Sequence, residues 1–98
     1  MAENIVQKVQ SKSAFLIDVR TENEWNAGHA KGAILFELSK IQEGETPAVS
    51  KDAEIYLYCH SGSRSGVAKE ILKKEGFTNV ENLGGLDDWQ ALGGELEE

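Results

Sequence analysis

The only cysteine of this 98-residue chain, Cys59, closes an apolar run and is followed at once by His60, Ser61, Gly62, Ser63, Arg64 and Ser65, within the stretch "EIYLYCHSGSRSGVAKEILKKEG". A lone cysteine is most often a small buried hydrophobe. These neighbours point instead to a nucleophile. Gly62 supplies the backbone freedom of a tight loop, and "HSGSR" contains none of the apolar period of a helix. A loop of this kind wraps its own N–H groups around the sulfur. Together with the first turn of the following helix, expected from Arg64 or Ser65, those donors make a cradle for negative charge. Arg64 adds a permanent cation. Each influence lowers a thiol pKa from its reference of about 8.5, and the thiolate is the attacking form. The chemistry indicated is covalent catalysis by Cys59 on an anionic substrate.

Other polar residues invite weaker readings. Asp18 and Arg20 fall at the end of the apolar run "AFLIDV", near the presumed cleft, and are read as support for the scaffold, with Arg20 paired to Glu24. His60 follows the nucleophile and fits loop lining or acceptor specificity, with an electrostatic influence on the thiolate as the alternative. His29 is read as a ring bonding local backbone in a Gly-His turn. Trp25 and Trp89 are read as core or cleft-wall aromatics. Lys69, Lys73 and Lys74 form a solvated helix face, with Lys69 near enough to the loop to add to its positive field. The chain has no Cys-x-x-Cys and no spaced histidine pair, so no metal site is expected.

The elements that must hold Cys59 can be read on either side of it. "ENIVQKVQS" places Ile5, Val6 and Val9 at helical spacing. "AFLIDV" is the continuous apolar run of a strand buried on both faces. In "TENEWNAGH", Thr21 precedes Glu24 by three residues, the spacing of a capping box, and Gly28 is placed to stop the helix. "AILFEL" reads as a second strand, "SKIQEGETP" as a brief helix and loop, and "EIYLYC" as the clearest strand, rich in β-branched and aromatic residues. Val67, Ala68, Ile71 and Leu72 then form the apolar stripe of a helix ending at Gly76. "NVENL" is a fourth strand, "GGLDDWQAL" a closing helix and "GGELEE" an acidic tail. Short strands alternating with helices imply α/β with a mainly parallel sheet flanked by short helices. In such sheets the functional crevice lies beyond the carboxyl ends of the strands, which is where Cys59 stands.

Length sets one domain, residues 1–98, with a core from about 14 to 93. One cysteine forbids an internal disulfide and suits a reducing compartment. The net charge of −7, from 17 acidic and 10 basic side chains, disfavours nucleic acid and anionic membranes as partners. No stretch has the length or apolarity of a membrane span, and the amino terminus lacks the pattern of a leader. A cytoplasmic protein is expected; a periplasmic one from which a leader had been removed would read the same.

The residues from "FLIDVR" to "NLGGLDDWQALGG" resemble a single-domain rhodanese, the small thiosulfate sulfurtransferase kind. The likeness is carried by "DVRTENEWNAGHAKGA", close to that family's Asp-Val-Arg, Glu and Gly-His-x-x-Gly-Ala pattern; by "YCHSGSRS", its active-site loop; and by the late "GG", Trp89 and a further glycine. Lys31 replaces a customary proline in a surface turn. The resemblance implies a rhodanese-like fold and a two-step transfer. Cys59 takes the outer sulfur of thiosulfate or a related anionic donor as a persulfide and passes it to cyanide, a thiol or a protein acceptor. It implies no metal or organic cofactor. The N–H groups of His60, Ser61, Gly62, Ser63, Arg64 and Ser65 would hold the persulfide, and Arg64 would orient the donor.

Two rivals remain at this point. A cysteine phosphatase also uses a Cys, a backbone cradle and an Arg, but tyrosine-type phosphatases place five residues between Cys and Arg, whereas His60, Ser61, Gly62 and Ser63 make four. A binding module or persulfide carrier on the same scaffold, without free turnover, is the other, since fold does not establish function.

Overall fold

The computed structural model describes residues 4–98. Residues 1–3, the start of the stretch read above for a leader, lie outside the described residues. The elements in chain order are α1 (Ile5–Gln10), β1 (Phe15–Asp18), α2 (Glu22–Ala27), β2 (His29–Ala30), β3 (Ile34–Leu35), α3 (Leu38–Gln42), β4 (Ile55–Cys59), α4 (Ser63–Lys74), β5 (Val80–Gly85), α5 (Leu86–Ala91) and β6 (Leu96–Glu97). Four strands form a parallel sheet in the order β3-β1-β4-β5, so the α/β architecture with a parallel sheet and short helices stands.

Alternation along the two central strands sorts the core into two layers. Ile17, Ile55, Leu57 and Cys59 face one side, where Ile41, Ala68, Leu72 and Phe77 cover them. Leu16 and Tyr58 face the other, against Val6, Val9 and Trp89. Both faces are covered, which is why these strands read as unbroken apolar runs. Cys59 thus points into the layer covered by α3 and α4.

Local signals set the helix ends. Thr21 caps α2 through the reciprocal box with Glu24, and Gly28 ends it, as the spacing indicates. Asn4 and Gln7 form an equivalent box on α1.

Three details depart from the sequence reading. The second strand is two residues long, because α3 already begins at Leu38. Val67 is 46% exposed and lies off the buried stripe of α4, which is Ser65, Ala68 and Leu72. Starting the helix at Ser63 turns Ser65 inward, and two residues further on the side chain points about 200° away. The acidic tail also belongs to the fold. Its β6 pairs antiparallel with β2, and the Glu95 carbonyl accepts from Lys31 N–H and Trp89 Nε1–H, both at 2.8 Å. No helix among the described residues is long and apolar enough to cross a membrane.

Candidate active site

Cys59 is the last residue of β4, wholly buried at the carboxyl edge of the sheet. The chain after it bends through His60 and Ser61, both exposed, to Gly62, whose φ of +98° is the left-handed conformation that favours glycine. That turn brings the Gly62 N–H to 3.0 Å from Cys59 Sγ. The Ser65 hydroxyl lies 3.5 Å from the same sulfur. Within the first turn of α4 the Ser65 N–H is directed at the thiol as well.

The electrostatics follow from these contacts. Burial pushes the Cys59 thiol up, but the Ser65 hydroxyl and the N–H groups of Ser65, Gly62 and Ser61 outweigh it, and the thiol lies below its ordinary value. Alkylation by iodoacetamide is accordingly expected to show a pH midpoint below about 8.5, and a midpoint at or above that value would contradict this geometry.

The loop is braced by β5. Asn82 Nδ2 donates to the Gly62 carbonyl at 2.9 Å, and its Oδ1 accepts from Ser65 Oγ at 2.7 Å and from Gly84 N–H at 3.0 Å. A bulge in the β4–β5 pairing between Leu57 and Tyr58 lets the strand present Asn82 and then Gly84 and Gly85 to the loop. At Gly85 a Cβ would meet the His60 carbonyl oxygen at 2.1 Å, so only glycine allows this approach. Sequence reasoning missed Asn82. The available signal was an asparagine within a strand, where it is disfavoured unless its amide is put to use.

Asp18 and Arg20 lie apart from the sulfur in a buried network. Asp18 accepts from Arg20 N–H at 2.8 Å, from Arg20 Nη2 at 2.7 Å and from the Tyr58 hydroxyl at 2.7 Å. Arg20 Nη2 also donates to the Gly28 carbonyl at 2.8 Å, and Tyr58 Oη accepts from Ala30 N–H at 3.0 Å. The group ties β1 and β4 to the turn ahead of β2. The expected Arg20–Glu24 pair does not form, because Arg20 reaches back to Asp18. Glu24 turns to Arg64, whose Nη1 and Nη2 meet its carboxylate at 2.7 and 2.9 Å. The Arg64 bonds hold Glu24 at about 2, well below the usual carboxylate value. Arg64 is itself raised, first by Glu24 and also by the nearby Cys59.

His29 Nδ1 lies 2.9 Å from the Trp25 carbonyl oxygen, and its ring stacks on the Trp25 indole with centroids 3.5 Å apart. Trp89 is buried core. Lys69 does not face the loop: its Nζ lies 3.6 Å from Glu81 on β5. Ser63 is exposed at the start of α4.

A rhodanese-like domain model matches residues 1–92. Thiosulfate sulfurtransferase PspE of Escherichia coli K12 is 44% identical over 73 residues, 74% of this chain and 70% of that protein. The putative sulfur carrier protein YrkF of Bacillus subtilis is 36% identical over 89 residues, 89% of this chain, which spans only 48% of YrkF. Among solved structures, the Rhodanese_3-like domain of the Alr3790 protein from Anabaena superposes with a TM-score of 0.78 at 30% identity, covering 87% of this chain and 99% of that domain. A parallel sheet with a Cys-led loop at its carboxyl edge, and these likenesses along most of its length, place this chain in the rhodanese-like sulfurtransferase family.

Proposed function

We propose that this protein moves sulfane sulfur from thiosulfate or a related donor to a thiophilic acceptor through a persulfide on Cys59. The observation that carries this reading is the sulfur in its cradle, with the Gly62 N–H at 3.0 Å and the Ser65 hydroxyl at 3.5 Å. The Cys59 thiolate attacks the outer sulfur of thiosulfate. A new S–S bond forms, the sulfur–sulfonate bond breaks, and its electron pair leaves with sulfite. The persulfide so made carries its charge on the outer sulfur, about 2 Å beyond the inner one. There the N–H groups from Ser61 to Ser65 stabilise it, in the manner of donors aimed at developing charge. Attack on that outer sulfur by cyanide, a thiol or a protein acceptor restores the Cys59 thiolate. Splitting the transfer in two frees donor and acceptor from meeting in one complex.

Arg64 is the permanent cation at the mouth and stabilises anionic donor and leaving group. His60, exposed beside the nucleophile, lines the entrance, and the Asp18–Arg20–Tyr58 network holds the strand end that presents Cys59. The chemistry is complete with side chains and backbone, so we assign no cofactor.

The spacing of four residues between Cys59 and Arg64 favours sulfur transfer over phosphate chemistry, since the shorter loop leaves less room for a tetrahedral phosphate on the cysteine. The test assays the purified protein for thiocyanate from thiosulfate and cyanide, and for p-nitrophenol from p-nitrophenyl phosphate across a range of pH. Turnover of the first and negligible turnover of the second are expected. Robust phosphatase activity with no thiocyanate would overturn the proposal.

A further inference from the structure

The guanidinium that an anionic donor would use is already engaged. Both Nη atoms of Arg64 donate to Glu24, at 2.7 and 2.9 Å. The Glu24 carboxylate is fixed from the other side as well, because Oε1 accepts from Thr21 N–H and Thr21 Oγ1, each at 3.1 Å. Held by its own helix cap, the carboxylate must give up both Thr21 bonds to swing away. Lys69, the next cation along α4, is turned toward Glu81. Once Cys59 ionises, the mouth of the site is negative, within a protein whose formal charge is −7.

We infer that Glu24 determines donor specificity: by filling the Arg64 fork it disfavours the dianion thiosulfate and favours a donor carrying at most one charge, an organic hydropersulfide. The inference rests on the persulfide mechanism proposed above and names the donor class for the same site. A dianion approaching a thiolate meets repulsion that only a free cation offsets, and in this partly shielded setting the charges act more strongly than in bulk water. It must also share the guanidinium with a tethered carboxylate that already takes one N–H from each Nη and offsets its charge. An organic hydropersulfide, RS–SH, needs no fork. The Cys59 thiolate attacks its outer sulfur, the S–S bond of the donor breaks, and the electron pair leaves on RS⁻, which takes a proton from water. The proton on the transferred sulfur stays with it or is lost to solvent.

The experiment uses the whole protein and its one cysteine as the reporter. Rate constants for one-sulfur addition to Cys59 are measured by rapid quench and intact mass, with thiosulfate and with cysteine hydropersulfide, whose net charge never exceeds one, for wild type and Glu24→Gln. The glutamine keeps the capping geometry and removes the charge. The ratio of thiosulfate to hydropersulfide rate constants is expected to rise at least tenfold, and the rise should shrink with added salt. Glu24→Asp, one methylene too short to hold both Nη atoms and Thr21 together, should move the ratio the same way and serves if Glu24→Gln does not fold. An unchanged or lower ratio would overturn the inference, since a merely structural tie between α2 and α4 would affect both donors alike. If neither donor placed sulfur on Cys59 of the wild type, the persulfide reading itself would fall.

Discussion

Replacing Cys59 with alanine is expected to abolish sulfur transfer from thiosulfate to cyanide, a loss of at least roughly a thousandfold, because the covalent step has no substitute. No second cysteine exists to take its place. The fold should survive the change at a modest cost. Cys59 is fully buried and packs in the layer with Leu57, Ala68 and Leu72, so it contributes more to packing than a loop cysteine would. Losing one sulfur from that layer should lower stability by roughly 1 kcal/mol. Cys59→Ser keeps a polar atom within reach of the Gly62 N–H and separates loss of nucleophile from loss of volume. Thiocyanate formation and thermal unfolding, measured on the same preparations, check both parts. Transfer at near wild-type rate by a folded Cys59→Ala protein would exclude the covalent mechanism.

Arg64→Ala should produce the next largest loss, roughly 2 to 4 kcal/mol in kcat/KM for thiosulfate, or about thirtyfold to a thousandfold. Two effects act in the same direction. The cation that stabilises donor and sulfite is gone, and Glu24 is left beside the thiolate without its partner. The second effect should raise the Cys59 pKa and make Glu24 easier to protonate, so part of the loss should be recovered by the double variant Arg64→Ala/Glu24→Gln. Steady-state kinetics with the alkylation profile of each variant test this. A loss below about threefold would show that Arg64 braces the loop without acting on the donor. Arg64→Lys keeps the charge but cannot form the paired bonds to Glu24, and should fall between.

What the sequence made legible was whatever depends on near neighbours and on periodicity. The buried strands ending at Asp18 and Cys59, the Thr21–Glu24 capping box, the Gly28 stop and the loop led by Cys59 all follow from spacings of a few residues. The same locality caused the misreading of Glu24. A residue four positions from Arg20 is an obvious helical partner, yet its partner is Arg64, 40 residues along the chain, because Arg20 has a buried carboxylate closer at Asp18. Asn82 stayed hidden for a related reason: its role exists only once β5 lies beside β4 and a bulge aims it at Gly62 and Ser65. The strap from Glu95 to Glu97 has no periodicity to detect, since a two-residue strand is defined only by its partner, β2.

The most direct measurement for the central claim is the intact mass of the protein after incubation with thiosulfate and removal of excess donor. An increase of about 32 Da, one sulfur, is expected, located on Cys59 by peptide mapping and discharged by cyanide with stoichiometric thiocyanate. An unmodified mass under conditions in which thiocyanate still accumulates would contradict the persulfide intermediate.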